Sequence, residues 1–187
     1  MRTSKKRHES PEPRRLDAAA LYQYALRSLG GRAHSINELR QKLDRRAERA
    51  ADVAGVLARL KEYGYLDDKR YAEAVASWRK DSQGLGRARA LRDLRSRRVA
   101  PAVAEKAVAE VYSEADEVAM IEAFLRRKFR SVPLDTFLAQ PKNLASAYRR
   151  LRVAGFSSAN SLRVLKRFAS EPEMLDALED ESAPGPE

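Results

Sequence analysis

The chain has 187 residues, with 37 Lys plus Arg against 27 Asp plus Glu, a formal net charge of +10, and no cysteine. That excludes disulfide scaffolds, cysteine nucleophiles and thiolate metal sites; a membrane span, which needs about 20 successive apolar residues, and the apolar run of a signal peptide within residues 1–13 are both missing, so cytoplasm is the expected compartment. With 31 Ala and 21 Leu against two Ile and two Thr, strong helix formers dominate and no segment alternates as a strand does, so an all-α fold is expected.

Residues 1–16 carry six cations against Glu9 and Glu12, with two prolines and almost nothing apolar, which reads as a disordered basic tail. Asp17 then caps a first helix with Leu21, Tyr24, Ala25 and Leu29 at helical spacing, stopped by Gly30-Gly31. Ser35-Ile-Asn-Glu38 fits a capping box opening a second helix striped by Leu39 and Leu43. Val53, Val56, Leu57 and Leu60 mark a third, with Gly64 as its left-handed terminator. Asp67-Asp68 begins a fourth, with Tyr71, Ala72, Val75 and Ala76 on one face.

The same grammar continues. A helix with Leu91 and Leu94 follows Gly86, and another starts at Pro101, the favoured first helical position for proline. A longer one is expected from about Glu114 to Phe129, striped by Val118, Ile121 and Leu125, followed by a loop over 132–141. Leu144, Ala147, Tyr148 and Leu151 mark the next helix, Gly155 stops it, and Leu162, Val164, Leu165 and Phe168 mark the last. Residues 171–187 hold seven acids, no Lys or Arg, and a hint of a short closing helix at Met174, Leu175 and Leu178. Between the tails, residues 17–170 carry +13, so the acidic tail is positioned to shield a more basic body.

Nine helices in groups of three suggest a repeat. Offsets of 51 and a further 57 pair Leu43 with Leu94 and Leu151, Leu39 with Ala90 and Ala147, and Val56 with Ala107 and Val164. They also pair Leu57 with Val108 and Leu165, and Leu60 with Val111 and Phe168, so all five positions stay apolar. A unit near 50 residues buries little alone; tandem units over 17–66, 67–112 and 113–170 are therefore expected to stack into an elongated, curved body.

Catalysis is not expected. His8 and His34 have no acids or nucleophiles at useful spacing and read as solvated loop residues. Asp67-Asp68 has too few oxygen ligands for a cation and reads as a cap. Gly84-Leu-Gly86 lacks the glycine and lysine pattern of a phosphate loop and reads as a flexible linker, although a glycine turn entering a helix is also a place where phosphate binds. Trp78, the only tryptophan, is expected to pack in the core rather than stack on a base.

Arginine is the informative residue, at 27 against ten lysines, because guanidinium pairs bidentately with phosphate or carboxylate. On the fifth helix Leu91 and Leu94 face inward, so Arg89 and Arg92 point outward, flanked by Arg95. In the third unit Arg149 and Arg152 lie opposite Leu151, while Arg163, Lys166 and Arg167 lie opposite Val164 and Phe168. These two one-sided clusters without matching acids are the candidate contact surface.

Ser35-Ile-Asn-Glu-Leu-Arg-Gln-Lys-Leu43, Leu57-Ala-Arg-Leu60 and Tyr63-Gly-Tyr-Leu-Asp-Asp-Lys-Arg-Tyr-Ala72, followed by a glycine and an Arg-rich helix, resemble the RecX family over roughly residues 17–168. The resemblance implies three tandem three-helix units and a regulator of the RecA recombinase. Such a protein lies in the groove of the RecA filament on single-stranded DNA and restrains strand exchange, ATP hydrolysis and the SOS response. It also implies no cofactor and, as partners, the RecA filament and single-stranded DNA, with double-stranded DNA open, no membrane and a monomeric chain. Where the family favours a Lys-Gly-hydrophobic helix ending, this sequence has Ala47-Glu48 and Arg98-Val99, keeping the glycine only in Ala154-Gly155-Phe156. The first two ends are therefore expected to turn differently. Two other classes compete with a filament regulator: a helix-turn-helix reader of double-stranded DNA using Arg89 and Arg92, and a general nucleic-acid scaffold leaning on its basic head.

Overall fold

The computed structural model describes residues 15–169; the basic head before Arg15 and the acidic tail, with the closing helix expected there, lie outside the described residues. The described residues divide into two compact units, one up to Asp67 and one from Asp68 onward.

In the first unit, Leu16 is tied by backbone hydrogen bonds to Arg46 and Glu48 at 2.7 and 2.9 Å. Helix α1 (Ala18–Gly31) opens where the Asp17 carboxylate accepts from the Ala20 N–H at 2.8 Å, and α2 (Ile36–Asp44) where the Ser35 hydroxyl accepts from Glu38 N–H at 3.1 Å. Both caps satisfy N–H groups that the first helical turn leaves without an intrahelical partner. Helix α3 (Ala50–Glu62) completes the triplet. Leu21, Ala25, Leu39, Leu43, Val53, Val56, Leu57 and Leu60 close one core.

In the second unit, α4 (Asp68–Ser77) runs into a π-helical turn at Trp78–Ser82, and α5 (Arg87–Ser96) and α6 (Pro101–Val111) pack on it. Their core is largely alanine, with Ala72, Ala76, Ala90, Ala104 and Ala107 around Leu94, Val99 and Val108. Small side chains let these helices approach closely but bury little apolar area each. Helices α7 (Glu117–Lys128), α8 (Leu134–Leu138), α9 (Pro141–Ala154) and α10 (Ser158–Leu165) enclose a larger core containing Ile121, Leu125, Leu138, Tyr148, Leu151, Phe156 and Leu165. Phe124 meets Phe156 edge-on at 5.6 Å.

The repeat reading predicts fifteen core positions. Thirteen of them are buried, and Val111 and Phe168 are half-buried. Each set of five packs into or against its own hydrophobic core.

Several expectations are corrected. Among the described residues there are ten α-helices rather than nine, because Leu134 and Phe137 fold the expected 132–141 loop into a short helix that packs its Leu138 into the third core. Helix α7 begins only at Glu117, where the Asp116 side chain caps the Ala119 N–H. Trp78 is 49 % exposed rather than core-packed, because the π-helical turn moves it off the apolar stripe of α4, and the Arg79 guanidinium lies 4.7 Å from its ring. His34 is buried rather than solvated: its Nδ1 lies 3.0 Å from Glu38 Oε2. Finally, the second repeat does turn like the third. Arg98, at the position equivalent to Gly155, adopts φ +61 without a glycine, while the corresponding Ala47 of the first repeat instead forms an isolated parallel bridge with Leu16.

Candidate interaction surface

The joint between the second and third repeats begins at Gly86. The expected flexible linker is instead a fixed contact: a Cβ on Gly86 would stand 2.3 Å from the Gly155 carbonyl oxygen, and one on Gly155, at φ +93, would stand 2.2 Å from Arg89 N. Gly86 N–H donates to Ala154 O at 2.9 Å and Ala88 N–H to Gly155 O at 3.1 Å. The unpaired donors at the start of α5 thus meet the unpaired carbonyls at the end of α9, and the two helix dipoles meet head to tail. This arrangement also disposes of a phosphate site at the α5 N-terminus, since α9 already occupies it. Tyr112 reinforces the joint by donating its hydroxyl to Leu85 O at 2.8 Å, and Arg127 donates to Gln83 O at 2.5 Å. Burial, with a smaller contribution from the nearby Asp81 charge, pushes the Tyr112 phenol up to about 12, so it stays protonated as a donor.

Two concavities flank the joint. One, about 470 Å³, is lined by Arg87, Leu91, Glu117, Met120, Arg152 and Phe156, among others. Its acid is fully engaged: Glu117 accepts from the Ser157 N–H at 2.8 Å and from the Ser157 hydroxyl and Asn160 Nδ2, each at 2.5 Å. Burial opposes ionisation there, but these donors outweigh it and hold the Glu117 carboxyl below its ordinary range. The other, about 540 Å³, lies among α5, α7 and α9 and carries Arg89, Lys128, Arg149 and Arg150 over Leu85, Phe124 and Val153. No acid lines it.

The eight sequence candidates separate by their partners. Arg89 and Arg149 share the second concavity. Arg92 donates to Val153 O at 2.7 Å and so braces α5 on α9, while Arg152 donates to Phe156 O at 2.6 Å and closes the end of its own helix. Arg95 pairs with Glu105 of α6 at 3.3 Å, and Arg167 with Glu122 of α7 at 2.5 Å. Arg163 and Lys166 are exposed at the far end of α10. Neither concavity includes Arg95, Arg163, Lys166 or Arg167.

Sequence reasoning missed Lys128 and Arg150. The available signals are the Arg126-Arg127-Lys128 run closing α7 and the Arg149-Arg150 pair, both of which read individually as solvated helix charges. It also missed the exposed aromatics of the first unit, Tyr63 and Tyr65, with the Arg59 guanidinium lying 5.6 Å from the Tyr63 ring and 4.2 Å from Tyr22. In that unit Glu38 is buttressed by Arg32 and His34; burial raises its pKa, but these hydrogen bonds prevail and lower it to about 2. Burial lowers His34. Among the described residues no group of three or more His, Asp or Glu stands together as metal ligands would, and no helix is long and apolar enough to cross a membrane.

Comparison with known proteins finds matches to the first two three-helix units. Residues 22–60 match the family model for the first three-helix domain of RecX, and residues 67–108 that for the second. The regulatory protein RecX of Vibrio parahaemolyticus is 32 % identical over 133 residues, covering 71 % of this chain and 81 % of that protein. That of Deinococcus radiodurans is 33 % identical over 153 residues, covering 82 % and 70 %. The crystal structure of RecX from Lactobacillus salivarius superposes with a TM-score of 0.63 at 17 % identity, over 81 % of this chain and 96 % of that one, which shows the shared fold. Matched domain models and relatives 32 % and 33 % identical over most of their length agree: the chain belongs to the RecX family of regulatory proteins.

Proposed function

We propose that this chain is a regulator, mainly an inhibitor, of RecA: it binds in the groove of the RecA filament on single-stranded DNA and restrains strand exchange, ATP hydrolysis and SOS co-protease activity. Family membership supports the regulatory class. The observation carrying the mechanism is the α5–α9 joint, which holds Arg89, Arg92, Arg149 and Arg152 on one continuous support rather than on separately moving helices. A filament groove offers phosphates and acidic protein together, and Arg95, Arg163, Lys166 and Arg167 extend the basic surface beyond the joint. A helix-turn-helix reader fits less well. Its recognition helix enters the major groove with its N-terminal residues on base edges, whereas the α5 N-terminus is packed on α9 and Arg92 is held by Val153 O.

The test is RecA ATP hydrolysis on single-stranded DNA with this protein well below one per RecA, repeated in excess strand. Inhibition that survives the excess is expected. No inhibition, together with tight binding to naked DNA, overturns the filament reading.

A further inference from the structure

We propose that the concavity between α5, α7 and α9 is a single-strand nucleic-acid groove in which Lys128, Arg149 and Arg150 neutralise successive backbone phosphates and Arg89 closes one end. This deepens the reading above by separating the basic residues that touch nucleic acid from those that do other work.

Three observations carry it. First, the charge is one-sided: four cations contributed by three helices line a space of about 540 Å³ with no carboxylate among its lining residues. Within the groove only Arg89 has an acid, Asp93, which it shares with Arg79, whereas Arg126 and Arg167 outside it both pair with Glu122. Lys128 and Arg149, both exposed, have no hydrogen-bond or ion-pair partner among the described residues. Like charges gathered without counter-charge repel one another, and a polyanion relieves that repulsion.

Second, the cations do not converge on one partner. Arg150 is drawn toward the Phe129 ring, at 5.9 Å, and Arg89 toward Asp93, at 3.2 Å, and the four come from three helices. Positive charge spread in this way suits a chain with uniform negative charge; an acidic protein surface usually intersperses charges of both signs.

Third, the floor is apolar. Val153 is 63 % exposed, and Phe124 lies beside it in the lining, backed by Phe156. Non-specific single-strand sites combine a basic track with apolar or aromatic surface for the bases. Val153 stands on α9, which the glycine joint ties to α5, and Phe124 stands on α7 with its ring held against Phe156, just past the end of α9.

Each phosphate neutralised on a single strand contributes about 0.7 to the logarithmic salt slope. The test uses the full chain and a fluorescently labelled 30-nucleotide oligothymidine, titrated by anisotropy from low to moderate salt without RecA. The triple variant Lys128→Gln, Arg149→Gln, Arg150→Gln is expected to lower the slope by about 2 and to weaken low-salt binding at least tenfold. The control is Arg27→Gln, Arg40→Gln, Arg45→Gln, which removes the same charge from exposed positions of the first unit; it is expected to change the slope by less than half as much. Circular dichroism confirms that both variants are folded, and Lys128→Arg with Arg150→Lys, which keep the charge, are expected to retain the slope. If the groove variant binds like the control, the groove is not the strand's site. If it binds oligothymidine like the wild type but inhibits RecA less, the groove takes an acidic protein surface and this assignment falls. Because the titration contains no RecA, its failure is distinct from a failure of the filament reading.

Discussion

At Arg98 the backbone enters the left-handed region, φ +61, at an exposed position where the third repeat has Gly155. For a residue with a Cβ that conformation costs about 1–2 kcal/mol. It persists because the same turn sends Val99 into the alanine-rich second core, where it is 3 % exposed, and lets its N–H bond Leu94 O at 3.1 Å. Arg98→Gly is therefore expected to stabilise the protein by about 1 kcal/mol, read as a higher urea midpoint at unchanged slope; a lower midpoint would mean that the arginine side chain contributes more than its backbone costs. His34 makes the complementary point. Its neighbours Arg32 and Lys42 disfavour a charged imidazole, burial disfavours it more, and the residue packs as a neutral bridge to Glu38.

Among the elements, the meeting of α5 with α9 depends on two missing side chains. Gly86→Ala places a methyl 2.3 Å from the Gly155 oxygen and 2.6 Å from Phe156 N, both backbone atoms that move only if the helices separate. Overpacking of this kind costs about 1–3 kcal/mol. Gly30→Ala serves as the contrast, because a Cβ there meets nothing within 4 Å and removes a flexible residue from α1. Thermal melts by circular dichroism should show a lower Tm for the first variant and an unchanged or higher one for the second. Equal melting of the two would show that the joint yields without cost.

For the whole molecule, charge is the dominant quantity. Removing residues 171–187 takes away seven carboxylates and no cation, so the net charge rises from +10 to +17. Added positive charge speeds encounter with a polyanion, and screening cancels the gain beyond a Debye length of about 10 Å at 0.1 M salt. The truncated chain is expected to bind oligothymidine several-fold tighter than the full chain in 20 mM salt and alike in 300 mM, by anisotropy. An effect that persists at high salt would point to a contact of the tail rather than to its charge.

The division of information follows from range. Helix starts at Asp17, Ser35 and Pro101, stops at Gly64 and Gly155, and the five apolar positions of each repeat were legible because capping and periodicity are local properties of the chain. The family was legible in the Ser35–Leu43 and Tyr63–Ala72 segments for the same reason. Tertiary structure alone decided which cations meet: Lys128 and Arg150 join Arg89 and Arg149 only because α7 and α9 pack beside α5, while Arg92 is drawn to a carbonyl of the joint. It also buried His34, exposed Trp78 and turned the Gly84–Gly86 link into a fixed contact. Such outcomes depend on residues tens of positions apart, and no local pattern of spacing or charge encodes their approach.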